Sequence, residues 1–305
     1  TNGRFGSFDS MLNVLRLSVI PIIIAFGLGF NMTLGMWDFS IGAIIYAAAI
    51  AGGNIAQLLG AGTIGVISIV FALGIGFTIL NAFLYKLLKV PSLVLTVGMA
   101  MLYGSLPRVL GWIHVQIGIT DGILANLPWC FVVFAVMVAL FYIIYNKSAF
   151  GNKVKAVGAN QVIAQNAGID IMKIKMRGFI FGGIFAGVAA VLYLSNTKVM
   201  MVPAMLGSVN LLFNAMMGIF IAFFLQRYCN FVFGIVIGTL SMQILTSGLV
   251  ALGISGTLQN VTSGLFLLVL LIVSSNQGIF SRKKRIKQYT AIANAQYDAS
   301  HPTEA

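Results

Sequence analysis

Charge is what this chain has least of. Asp, Glu, Lys and Arg together make up 8% of its 305 residues, whereas ordinary soluble domains carry about 25%. So few charges cannot cover the surface of a soluble protein of this length, and that class is excluded. Hydrophobic residues make up 59%, gathered in successive runs of at least the roughly 18 residues that a bilayer crossing demands. The runs are continuous rather than alternating at every second residue, which speaks against a β-barrel. The expected fold is all-α, a polytopic bundle of transmembrane helices.

The residues that carry most enzyme chemistry are also scarce. No paired carboxylates suit acid–base catalysis, and His114 and His301 stand alone, with no Cys/His spacing that matches a metal site. The pattern G-x-x-x-x-G-K-[ST] is missing, so no phosphate-binding loop for ATP is expected. An enzyme is therefore not expected, and neither is a cofactor in this chain. Cys130 and Cys229 fall near opposite faces of the topology given below, too far apart for a disulfide. Transport is what remains, powered by an ion gradient or by a separate subunit. Ion-coupled carriers keep ionisable groups at membrane depth. Here only Arg16, Asp38 and Arg108 come near the bilayer, and all can be placed at span ends. An ion-coupled secondary transporter is the alternative that this scarcity weighs against.

What is present is basic. The formal net charge is +12, and in a soluble protein that excess would suggest a nucleic-acid partner. Here the cations sit beside apolar runs, the pattern of cytoplasmic loops, and no nucleic-acid partner is expected. Nine spans are expected, at 12–35, 39–59, 63–85, 90–110, 128–146, 177–196, 208–225, 231–251 and 257–275. Two basic clusters orient them: residues 147–177 and the tail Arg282-Lys283-Lys284-Arg285-Ile286-Lys287. Four spans lie between the clusters, so both fall on one side, which the positive-inside rule makes cytoplasmic. Lys86 and Lys89 then come out cytoplasmic, and the loop 111–127 external. The chain divides into a transmembrane domain, 1–280, and a basic tail, 281–305, expected to be mobile. It starts at Thr1 rather than Met, and a further helix upstream would give ten spans with a cytoplasmic N-terminus. Trp37, Trp112 and Trp129 fall at span ends as interfacial anchors.

The segment 147–177 is too long for a turn. It holds Lys147, Lys153, Lys155, Lys173, Lys175 and Arg177 against one acid, Asp170. Gly158-Ala159-Asn160 reads as a turn with Asn160 as helix N-cap, 161–167 as a short helix, and Gly168 as its left-handed terminator. Val162, Ile163 and Ala167 supply apolar surface. Ile169 to Lys175 reads as a second short segment. Such an element is either a solvated loop whose cations lie against anionic lipid or a docking element for a soluble partner. Asp38, in Trp37-Asp38-Phe39-Ser40-Ile41-Gly42, either caps the next helix together with Ser40 or takes part in substrate passage.

The stretch Gly151 to Lys175 resembles the cytoplasmic coupling segment of ribose-type (monosaccharide) ATP-binding cassette importer permeases. Gly151, Ala156, Gly158, Asn160, Ala164, Gly168, Ile169 and Lys175 fit that pattern without a gap, and Gln161 stands where relatives often carry an acid. Asp38, Ser40 and Gly42 match a second motif of the family, and Gly234, Gly238 and 247–255 match motifs near its end. The resemblance implies a type II importer-like bundle in the bacterial inner membrane with a cytoplasmic C-terminus. It implies cytoplasmic ATPase subunits that bind ATP and Mg and dock at 147–177. It also implies a second permease copy or paralogue and an extracytoplasmic solute-binding protein. The implied cargo is a monosaccharide or similar small polar solute, with nucleosides, furanosyl signals or branched-chain amino acids as alternatives. A solute path needs hydrogen-bonding groups, for which Asn31, Thr33, Asp38, Ser40, Asn54, Asn81, Thr96, Asn210 and Asn214 are candidates. The chain also departs from the family: 221–230 lacks the family's glycine-rich stretch, and 209–214 lacks its acid. These losses point to a divergent half of a heterodimer.

Overall fold

The computed structural model describes residues 6–256 apart from 119 and 204, and scattered positions between 258 and 272. Its helices are α1 (Phe8–Thr33), α2 (Ser40–Leu58), α3 (Gly62–Leu88), α4 (Ser92–Val109), α5 (Trp129–Tyr142), α6 (Ala149–Ala159), α7 (Gln161–Asn166), α8 (Ile171–Thr197), α9 (Asn210–Leu225) and α10 (Phe231–Ala251). Eight of the described helical segments are long and apolar enough to cross a membrane. Their bounds fall within a few residues of the first eight expected spans, save that α8 begins at Ile171 rather than 177. The ninth expected span is described only at scattered positions, and the tail 281–305 lies outside the described residues.

The core is built along α1. Its middle, from Ser18 to Asn31, is buried without interruption, an all-round apolar helix that has no lipid face. α8 lies against α1, α2 and α3, and α9 pairs with α10. Lipid-exposed helices gain little from hydrophobic contact with one another, so close backbone approach matters. Gly27 of α1 and Gly182 of α8 face each other so tightly that a Cβ on either would sit 3.0 or 2.9 Å from the other's carbonyl oxygen. Beside this crossing, Phe26 stacks on Phe141 with ring centroids 4.6 Å apart, and Phe185 meets Phe141 edge-on at 5.6 Å.

The two ends of the bundle differ. At one end, strands β1 (His114–Gln116) and β2 (Val199–Met201) pair antiparallel, His114 opposite Met201 and Gln116 opposite Val199. This ribbon is a structural addition to the all-helical expectation. Three-residue strands lack the length for a readable alternation. Asn54 and Gln57 of α2 donate to the His114 and Gln116 carbonyls, and Arg108 donates to the carbonyls of Val202 and Pro203. At the other end, α1, α9 and the turn that follows α5 finish beside α6 and α7, while Tyr85 near the end of α3 meets Phe179 near the start of α8 at 5.6 Å. Cys130 is buried, Cys229 is half-buried, and both are free.

Candidate functional site

The segment 147–177 is more regular than its sequence suggests. α5 runs on through one π-helical turn, Ile143–Lys147, and stops at Ser148, whose extended backbone opens α6. The Ser148 hydroxyl accepts the Gly151 N–H at 3.0 Å, an N-cap that satisfies one of the helix's free amides. Gly151 is buried against the carbonyls of Ile144 and Tyr145, where a Cβ has no room. Asn160 caps α7 as expected, its Oδ1 accepting the Ile163 N–H at 3.0 Å. Gly168 ends α7 at φ +80°, and the Ile169 N–H reaches back to the Ala164 carbonyl at 3.0 Å.

Two expectations are corrected. Gly158 is not a turn residue: it lies inside α6, and its missing Cβ lets α6 press onto the Thr33 carbonyl at the end of α1. The segment 169–175 is not a separate piece either. Asp170 caps α8, its Oδ1 accepting the Lys173 N–H at 3.0 Å, so the helix starts at Ile171 and runs without a break into the apolar stretch expected as a span. That N–H, followed by the Lys173 side chain, holds the Asp170 carboxyl below the usual carboxylate range. The Asp170–Lys173 ion pair is exposed at 3.1 Å and adds little stability.

The surface that results is an apolar knob on a basic field. Val162 is 67% exposed and Ile163 66%, while Ala164 behind them is buried with Val154, Val157 and Ile174. Gln161 is exposed, and Ile169 and Lys175 are half-buried. Lys155 lies 4.9 Å from the centre of the Tyr145 ring, and burial pulls its ammonium below the usual lysine range. A cleft of about 570 Å³ is lined by α6 and α7 together with the ends of α1 and α9, Thr33 and Gly35 among its lining residues.

The candidate path residues do not form one lining. Asn31, Asp38, Ser40, Asn81, Thr96 and Tyr103 are buried and knit the first four helices together. Asp38 accepts from the Asn31 amide at 3.1 Å, from the Ser40 N–H at 3.0 Å and from the Ser40 hydroxyl at 2.5 Å. Asn81 donates to the Ser40 hydroxyl at 2.7 Å, and the Tyr103 hydroxyl donates to Asn81 at 2.9 Å. Thr96 takes the Phe39 N–H at 3.2 Å. Asp38 thus receives the first amide of α2, the job of a cap, although Phe39 holds the cap position and Ser40 belongs to the helix. Tyr103 is the member that sequence reasoning missed, because a tyrosine among apolar residues gives no sign of where its hydroxyl ends. Thr33 bonds its own helix, donating to Gly29 at 2.7 Å, and faces the cleft. Asn54 stands at the ribbon end, and Asn214 meets Thr246 of α10 at 3.5 Å.

Residues 10–275 match the family described as the branched-chain amino acid transport system / permease component. The chain belongs to this family. Within it, the chain is 27% identical over 206 residues to a galactofuranose transporter permease protein of Escherichia coli, covering 63% of this chain and 58% of the relative. A ribose import permease protein of Haemophilus influenzae is 25% identical over 207 residues, 64% of each chain. An autoinducer 2 import system permease protein of Yersinia enterocolitica is 26% identical over 212 residues, 63% of this chain and 55% of the relative. The chain thus spans about three fifths of the length of the curated relatives it matches. No solved structure gives a significant match. A permease-family chain with eight such helices is a multi-pass inner-membrane protein.

Proposed function

We propose that this permease is the membrane-spanning subunit of an ATP-binding cassette importer, and that its cargo is a monosaccharide or similar small polar solute. The observation that carries the reading is the α6–α7 element. It is a capped two-helix block, wedged by Gly158 onto the end of α1, that offers Val162 and Ile163 to solvent amid cations. A knob of this kind suits the groove of a soluble ATPase. Its seat on α1 and its short link through Gly168 to the start of α8 give a mechanical route from that ATPase into the bundle. ATP enters the cycle as a difference in the ATPase's affinity for two arrangements of the permease pair. ATP and Mg are held by the partner, and this chain binds neither. The sugars named for its relatives support the solute class, as does a bundle whose described buried polar groups are chiefly neutral amides and hydroxyls.

In this reading α6 and α7 lie in the cytoplasm, the ribbon faces the binding protein, and the C-terminus is cytoplasmic. The cations Lys86, Lys89, Lys147, Lys153, Lys173 and Arg177 gather at the α6–α7 end, which favours that orientation. The departures at 209–214 and 221–230 support pairing with a more typical permease in a heterodimer. Uptake of labelled sugars into proteoliposomes tests the function. Uptake is expected only with ATP and a separate ATPase subunit, whereas uptake driven by an ion gradient alone overturns the reading. A transport-competent core made from this chain alone overturns the heterodimer.

A further inference from the structure

The turn between α9 and α10 is a built feature. Its sequence, Gln226-Arg227-Tyr228-Cys229-Asn230, lies within 221–230, the stretch that lacks the glycines of the resembled pattern. Three N–H groups tie it down. Gln226 bonds the Ala222 carbonyl at 2.8 Å, and Tyr228 and Cys229 bond that of Leu225 at 2.8 and 2.9 Å. Asn230 caps α10 by accepting the Val232 N–H at 3.1 Å. On this ordered tip Tyr228 is 82% exposed, with Arg227 exposed beside it. A large aromatic ring held in solvent on a fixed turn is the kind of side chain that anchors an interface.

The tip is also joined to the docking block. The Asn146 amide donates to Asn230 Oδ1 at 3.1 Å, and Asn146 Oδ1 accepts from Lys155 Nζ at 3.3 Å. One side chain therefore clamps the α9–α10 tip and α6 together. Between them runs the cleft of about 570 Å³, with Lys155 and Gln161 on one wall and Phe223 and Gln226 on the other. The cations of this face, with Arg227 added, have one described acid among them, Asp170.

We propose that the α9–α10 tip is the second wall of a single docking surface, and that the ATPase subunit contacts Tyr228 and Arg227 in the same engagement that grips Val162 and Ile163. The partner it fits has an apolar socket for the knob and an acidic or carbonyl-rich ridge that enters the cleft. This rests on the function proposed above and extends it to residues that the coupling pattern does not reach.

Cys229 makes the test direct, because the chain's other cysteine, Cys130, is buried. The full-length permease in nanodiscs is alkylated with a maleimide, with and without the ATPase subunit that supports uptake. The same measurement is made on Asn166→Cys in a Cys229→Ser background, an exposed reporter at the end of α7. Both thiols are expected to react at least about tenfold more slowly when the ATPase is bound. Protection of Asn166→Cys alone overturns the second wall and leaves the coupling reading standing. Protection of neither overturns both. Slowing at Cys229 by anionic-lipid nanodiscs without ATPase assigns the tip to the membrane surface and overturns the proposal. As a second measurement, Tyr228→Ala with Arg227→Ala is expected to weaken ATPase binding at least tenfold in monodisperse protein. Unchanged binding overturns the tip's role.

Discussion

Gly158, Gly168 and Asp38 each answer to a different physical demand. Valine at 158 drives a branched Cβ into the Thr33 carbonyl, and overpacking of this kind costs about 1–3 kcal/mol. Gly158→Val is expected to lift α6 from α1 and to separate ATP hydrolysis from uptake while the protein still reaches the membrane. Equal uptake per ATP in the variant counts against this. Gly168 faces open space but sits at φ +80°, so Gly168→Val meets backbone strain of about 1–2 kcal/mol rather than a clash. Removing the Asp38 carboxylate takes the acceptor from the Asn31 amide and from the Ser40 hydroxyl proton, at about 1–3 kcal/mol for each buried donor left unsatisfied. Asp38→Ala is expected to lower the Tm of purified protein clearly, and Asp38→Asn to lower it less, read by thermal unfolding in detergent. The Asn160 cap and the Gly168 terminator were legible in the sequence because each acts on backbone within a few residues. Gly158 was not, since its constraint comes from a carbonyl far along the chain.

Among the elements, α8 carries the most separate tasks. It begins beside α7, packs on α1 through the Gly27–Gly182 contact, and ends beside the ribbon. Gly182→Leu is expected to push α1 and α8 apart and to reduce the yield of folded protein in the membrane. Gly76→Leu, in α3 with nothing near its missing Cβ, serves as the tolerated comparison. At the other extreme of the same helix, the Asp170 cap makes the start of α8 sensitive to acid. Its folded pKa lies below the ordinary carboxylate value, so its stabilising effect is present above that value and fades as pH falls through the lowered one. Asp170→Asn is expected to flatten this acid limb in a series of Tm values against pH. An unchanged limb removes the cap from the account. The eight described spans were legible because apolar length is a local property, whereas α6 was not, since Lys153, Lys155 and Asn152 interrupt its apolar pattern. The start of α8 was hidden for the same reason: Lys173, Lys175 and Arg177 made its first turns look like loop.

For the whole molecule, the proposed orientation sets the ribbon and the docking face on opposite sides of the membrane. Gln116→Cys, exposed on β1, is expected to react with an impermeant maleimide applied outside, and native Cys229 only after the membrane is opened. The reverse pattern inverts the topology.

The sequence by itself determined the class, the eight described spans, the excess of cations at one end and the caps of α7. Those follow from hydrophobicity, charge and backbone chemistry within a few residues. Only the tertiary structure decided that Asn31, Asp38, Ser40, Asn81 and Tyr103 form one network, and that Asn146 clamps the α9–α10 tip to α6. Hydrogen bonds and close helix crossings between distant residues depend on how the helices are arranged, and the pattern along a single span carries no record of what lies across from it.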